Sequence, residues 1–199
     1  MRTLITLALL ALLTPAFSAD LPITESPQIS VTLSSKHGDN QNPLKLHFTR
    51  KRDQKILAVL PAYFDQAQRG AEKDTKALWS PKGDFVALTW NGGPRVGTLS
   101  VYGILPESAV EIRLADYTQN ILGRHRTIQQ GPHRTDTFLR WVADDELLIS
   151  TGGEADVVPD AGRVMYHYHV RLRFHALHMA EPYSELIAVN EAPKEEAHK

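Results

Sequence analysis

The sequence predicts an all-β fold: antiparallel meanders in about three blade-like segments, forming an open or sandwich-like β-domain. Three observations predict it. Short stretches alternate apolar and polar residues with period 2, as half-buried strands do. Clusters of Pro, Gly, Asn and Asp recur between them at hairpin spacing. Finally, the stretch from Leu78 to Leu88 has an echo from Leu139 to Ile149, with a tryptophan entering each turn at Trp79 and Trp141.

The N-terminus reads separately. Arg2 supplies a positive charge, Leu4 to Leu13 is an apolar run broken only by Thr6, and Pro15 ends any helix. Ala16 and Ser18 put small residues at the positions a signal peptidase reads, so residues 1–18 are expected to be a secretory signal peptide. The apolar run falls short of the about 20 residues a membrane helix needs. The chain contains no cysteine, which excludes a disulfide framework, thiolate metal sites, a cysteine nucleophile and lipid attachment at an N-terminal cysteine. Export without disulfides fits a periplasmic or secreted bacterial protein, with no membrane span once the signal is removed. The 22 basic residues nearly balance the 23 acidic ones. Nucleic acid is therefore not an expected partner, because it selects a basic excess.

Residues 19–190 are expected to form a single β-domain. Ala19 to Pro27, with two prolines, reads as an extended lead-in. Gln28 to Ser34, Leu44 to Thr49 and Lys55 to Leu60 read as three strands of a first meander, with Lys36 to Pro43 as a loop. Pro61 to Thr75 admits a helix or a loop with one helical turn. In the central motif Pro81 presets φ, and Lys82-Gly83 tolerates the unusual backbone angles of a tight turn. Phe85 to Trp90, Gly97 to Ile104 and Ala109 to Leu114 complete a second, four-stranded meander. Tyr117 to Thr137 reads as a long polar connection, of the kind that often carries function. Thr137 to Trp141 and Glu146 to Thr151 make the echo hairpin, followed by an acidic loop from Gly152 to Gly162 that lacks a calcium-loop pattern. Val164 to Ala176 has the clearest alternation in the chain. Ser184 to Asn190 is a last strand, and residues 191–199 are expected to be a charged, disordered tail.

The run Trp79-Ser80-Pro81-Lys82-Gly83-Asp84-Phe85-Val86-Ala87-Leu88, followed by Leu99-Ser100-Val101-Tyr102, resembles the repeat of TolB-like (WD40-like) β-propellers. Lys82 and Asp84 swap the charges usual in that repeat. The resemblance implies that one such repeat forms one four-stranded blade, and that the protein works by binding another protein. A propeller needs about four blades to close. Three segments must therefore stay open, pack as a sandwich, or complete their sheets with a partner or another copy.

The candidate chemistry lies later in the chain. Tyr166, Tyr168, Val170, Leu172 and Phe174 fall on one face of their strand, with Arg163, His167, His169, Arg171, Arg173 and His175 on the other and Met165 as its single apolar member. His167, His169 and His175 are candidate ligands for zinc or copper, because imidazoles two residues apart in a strand project side by side. The same pattern serves a solvent-facing cationic strand. Arg171 and Arg173, with Arg124, Arg126 and Arg134 from the long connection, could instead recognise an acidic protein segment or a small anionic ligand through guanidinium forks. Pairing with Asp144, Asp145, Glu146 or Glu154 would satisfy the same arginines. No G-x-S-x-G, phosphate-binding glycine loop or H-E-x-x-H occurs. The expected function is thus a non-enzymatic protein-interaction or scaffold module. A metal-binding protein or metal-dependent enzyme, and a binder of small anions, are the alternatives.

Overall fold

The computed structural model describes residues 21–33, 45–61, 75–91, 96–122, 128–157, 162–175 and 181–193. The expected signal peptide, the stretch 62–74 of the segment that admitted a helix, Arg124 and Arg126 lie outside them. The described chain forms three meanders, each of four antiparallel strands in sequential order. The first comprises β1 (Leu21–Glu25), β2 (Ile29–Leu33), β3 (Lys45–Arg50) and β4 (Lys55–Pro61). The second comprises β5 (Lys76–Trp79), β6 (Phe85–Asn91), β7 (Val96–Ile104) and β8 (Ala109–Glu111). A short helix α1 (Thr118–Leu122) leads to the third, β9 (Ile128–Ala143), β10 (Glu146–Val157), β11 (Gly162–His175) and β12 (Tyr183–Glu191). Two parallel pairs, Val96 with Arg134 and Gly97 with Thr135, join the second and third meanders edge to edge. Among the described residues the blades do not close into a ring.

Three boundaries differ from expectation. The lead-in contains a strand, β1, whose irregular register between Pro22 and Thr24 accommodates its proline at a sheet edge. The long polar connection holds α1 and then the start of β9, which begins at Ile128. β10 runs on to Val157, through the first half of the expected acidic loop. Their polar composition hides these strands, because pairing with neighbours rather than hydrophobic alternation holds them.

The middle meander is covered on both faces. Val86, Leu88, Trp90 and Tyr102 pack on Val31, Leu33, Leu46 and Phe48 of the first meander. Phe85, Ala87, Leu99 and Val101 pack on Leu147, Ile149, Val170 and Leu172 of the third. Double coverage explains why Phe85 to Trp90 is buried without a break, as in strands buried on both faces.

The turns repeat one device. Ser80 donates its N–H to the Phe85 carbonyl at 2.9 Å, and its Oγ accepts from the Phe85 N–H at 3.0 Å. Ser26 does the same with Ile29, at 2.8 Å and 3.1 Å. Ser26-Pro27 is therefore a shorter counterpart of Ser80-Pro81. Gly83, with φ at 78°, takes the left-handed position of the longer turn. The tryptophans also repeat: the Trp79 indole N–H donates to Thr24 Oγ1 at 3.0 Å, and the Trp141 indole N–H to the Leu78 carbonyl at 3.2 Å. Each thus reaches back to the preceding meander, at the position just before that meander's own tryptophan or its counterpart, Glu25.

Ion pairs pin the β3–β4 turn of the first meander to the β7–β8 turn of the second. Arg50 bonds Asp53 at 2.7 Å and Glu107 at 3.0 Å, and Lys55 also reaches Glu107. The Arg50 hydrogen bond holds the Asp53 carboxyl down at about 2. Lys55, then Arg50, hold Glu107 at about 2. Both values are depressed, so this contribution is fully present above the ordinary carboxylate range and is lost as pH falls toward 2. The urea midpoint is therefore expected to fall on acidification below about pH 4.5. Glu107→Gln should flatten that acid limb, an effect that salt weakens because the cluster is exposed.

Candidate interaction face

Strand registers show what the third meander turns outward. Trp79 pairs with Val86, and Trp141 pairs with Leu147, so Leu147 is the counterpart of Val86. Counting from these anchors, Phe85 corresponds to Glu146, Val101 to Arg171, Leu99 to His169 and Gly103 to Arg173. In the middle meander that face is the apolar core toward the next blade. In the third it is polar and faces outward. The first meander shows the mirror pattern: Ser30 and Thr32, paired with Thr49 and His47, stand on its outer face where the middle meander has Val86 and Leu88. Polar outer faces on terminal units are how stacked repeats end without exposing core.

The alternation along β11 puts His167, His169, Arg171, Arg173 and His175 on the outer face, as read from the sequence, with Tyr168, Val170, Leu172 and Phe174 buried beneath. The face is not simply cationic. The two-residue turn Asp144-Asp145 starts β10 at Glu146, directly opposite Arg173, and Glu185 of β12 flanks Arg173 on the other side. Glu146 is only 5% exposed. Its Oε2 accepts from Arg171 Nε at 2.6 Å, while Oε1 accepts from Arg173 Nε at 2.9 Å and Nη2 at 2.6 Å. These bonds, Arg173 first and then Arg171, hold the Glu146 carboxyl below its usual range. One carboxylate thus fixes two guanidinium groups, whose side chains remain 45% and 41% exposed. Arg140, opposite Leu148 on β9, adds a third exposed arginine to the row.

The histidines are held individually. The His167 imidazole lies against Gly152, where a Cβ would come within 3.5 Å of the ring and 3.3 Å of the Tyr166 carbonyl. Its Nε2 contacts Ser150 Oγ at 2.5 Å. The His167 and His169 rings sit 5.9 Å apart and perpendicular. His175 stacks on Tyr183 and its Nε2 contacts Glu185 at 2.7 Å. It lies six positions beyond His169, about 20 Å at strand rise, so the structure does not bring it to the His167/His169 pair. Among the described residues no group of three or more His, Cys, Asp or Glu could hold a metal ion. Apolar Met165, 75% exposed, extends the face beyond His167.

Arg134 lies elsewhere. It sits on the inner face of β9, where its Nε pairs with Asp136 Oδ2 at 2.9 Å and its guanidinium covers the Tyr117 ring at 4.8 Å. The five candidate arginines therefore do not form one surface: Arg171 and Arg173 stand together, and Arg134 is on the opposite side of the same meander. Arg140 and Glu185 are members of the outer face that strand periodicity alone does not find. The signal for Glu146 is the register counted from Trp141. Compared with known proteins, the chain matches no family model and no curated sequence.

Proposed function

We propose that the protein is a non-enzymatic interaction module, exported to the bacterial periplasm, that binds an acidic segment of a protein partner through the outer face of its third meander. The supporting observation is the Glu146 clamp. Arginines held in place lose less rotamer freedom on binding, and their planar forks suit carboxylates. The apolar Met165, farther along the same outer face, adds the mixed character of interaction surfaces, where arginine and methionine are enriched. The repeat around Trp79, through its resemblance to TolB-like propellers, favours protein binding over catalysis.

The test is affinity capture from a periplasmic extract with the wild type and Arg171→Gln/Arg173→Gln. The wild type is expected to retain a stoichiometric partner that salt elutes, and the variant to lose most of it. Equal capture by both proteins, or none by either, would contradict the reading.

A further inference from the structure

The contact between the second and third meanders is apolar except at one end, where Arg134 and Asp136 line a cavity of about 420 Å³. Asp136 is buried and pairs with Arg134 at 2.9 Å. Such a pair costs more to desolvate than an apolar filling of the same volume, so its presence beside a cavity calls for a reason. The cavity lies on the opposite face of the third meander from the Glu146 clamp, and its reading is independent of the partner face.

No charge in the described lining stands open. Arg134 and Asp136 balance each other as one neutral unit. Asp116 accepts the Thr118 N–H at 3.1 Å and is engaged besides. Burial pushes the Tyr117 hydroxyl above the usual phenol range, so it too stays uncharged. What the pair leaves is hydrogen-bonding capacity. Arg134 donates from Nε to Asp136 and from Nη1 to Thr118 Oγ1, which does not exhaust the five donors of a guanidinium. A carboxylate likewise accepts at about four sites. The Arg134 guanidinium covers the Tyr117 ring at 4.8 Å, so that ring offers a ligand no face to stack on. Leu99 and Leu114 supply apolar wall, and Thr98 adds an exposed hydroxyl.

We infer that this cavity binds a neutral polyhydroxyl ligand of monosaccharide size, with two neighbouring hydroxyls on Arg134 and Asp136 and a C–H face against Leu99 and Leu114. The lining selects that class. An ion would enter a site whose charges already balance, and would lose its hydration with no counter-charge to replace it. An apolar ligand would cut the remaining donors and acceptors off from water without bonding them. A hydroxyl both donates and accepts. Of a vicinal pair, one oxygen therefore takes a guanidinium N–H while the other gives its O–H to the carboxylate. The Thr98 and Thr118 hydroxyls, on β7 and α1, line the same cavity and suit hydroxyls on further ring carbons, which a single amide or alcohol lacks. The volume lies at the small end of ligand sites, which run from about 300 to 1,000 Å³.

Saturation-transfer difference NMR on the purified full chain, titrated to give an affinity, tests this. The probes are D-glucose, D-galactose, D-mannose and N-acetyl-D-glucosamine, with D-glucuronate, propionamide and cyclohexanol as controls. At least one neutral sugar is expected to bind saturably with a Kd below about 10 mM. Each control should bind about tenfold more weakly or not at all: glucuronate for its charge, the other two for their missing hydroxyls. Arg134→Gln should weaken the sugar about tenfold, as loss of a charged hydrogen bond does. Circular dichroism checks its fold, because it leaves Asp136 buried without its partner. If that variant fails to fold, Thr98→Trp decides. Thr98 is exposed, so the larger side chain is tolerated in β7 while it fills the cavity, and sugar binding should be lost. No saturable binding by any sugar, equal binding by a control, or unchanged affinity in Thr98→Trp would overturn the inference.

Discussion

Phe85→Ala is expected to destabilise the protein by about 3 to 5 kcal/mol, the range for removing a buried aromatic ring. The ring stacks on Trp141 at 5.9 Å and meets Phe174 at a tilt at 5.5 Å, and those two rings contact each other at 5.6 Å. The three come from β6, β9 and β11, so the cluster ties the middle meander to the third. Truncation at Phe85 removes two aromatic contacts and leaves a cavity that strands on both sides prevent from collapsing. Urea unfolding followed by tryptophan fluorescence measures the loss, and Trp141 reports locally on the same cluster. A loss below about 1 kcal/mol would mean that the second and third meanders do not pack through these rings.

The second large effect concerns association. Glu146→Phe, His169→Leu and Arg171→Val together give the outer face of the third meander the residues that the middle meander uses at the same positions. With Leu148 of β10 and Ala188 of β12 on either side of position 171, these side chains would make one contiguous apolar patch, and exposed patches of that kind drive self-association. The triple variant is expected to form dimers or larger species whose mass rises with concentration, measured by size exclusion with light scattering. A variant that stays at the wild-type mass would show that the polar outer face is not what ends the stack.

Sequence reasoning reached the fold through the residues that obey simple periodicities. Alternation in β2, β3 and β11, and the turn chemistry of Ser80-Pro81-Lys82-Gly83, are local properties of the chain. What it missed is set by pairing. β9 begins nine residues before Thr137 because Ile128 to Arg134 pairs with the far end of β10, despite a polar composition with glycine and proline. The first hairpin escaped notice because Glu25 replaces the tryptophan, although Ser26-Pro27 repeats the Ser-Pro step. The cationic strand was legible as a pattern, but its charge balance was not. Whether Arg173 meets Glu146 and Glu185 depends on the registers of two neighbouring strands. Likewise, Arg134 and Arg171 look alike in sequence and stand on opposite faces in the fold.

The most direct test of the proposed partner face is photo-crosslinking in the proposed compartment, the bacterial periplasm, with a photoreactive residue at position 165 on the third meander and, separately, at position 56 on the first. Both positions are well exposed, at 75% and 54%. A discrete heteromeric adduct is expected from position 165 and none from position 56. An adduct from position 56 alone, a homodimer from position 165, or no adduct from either would contradict the proposal.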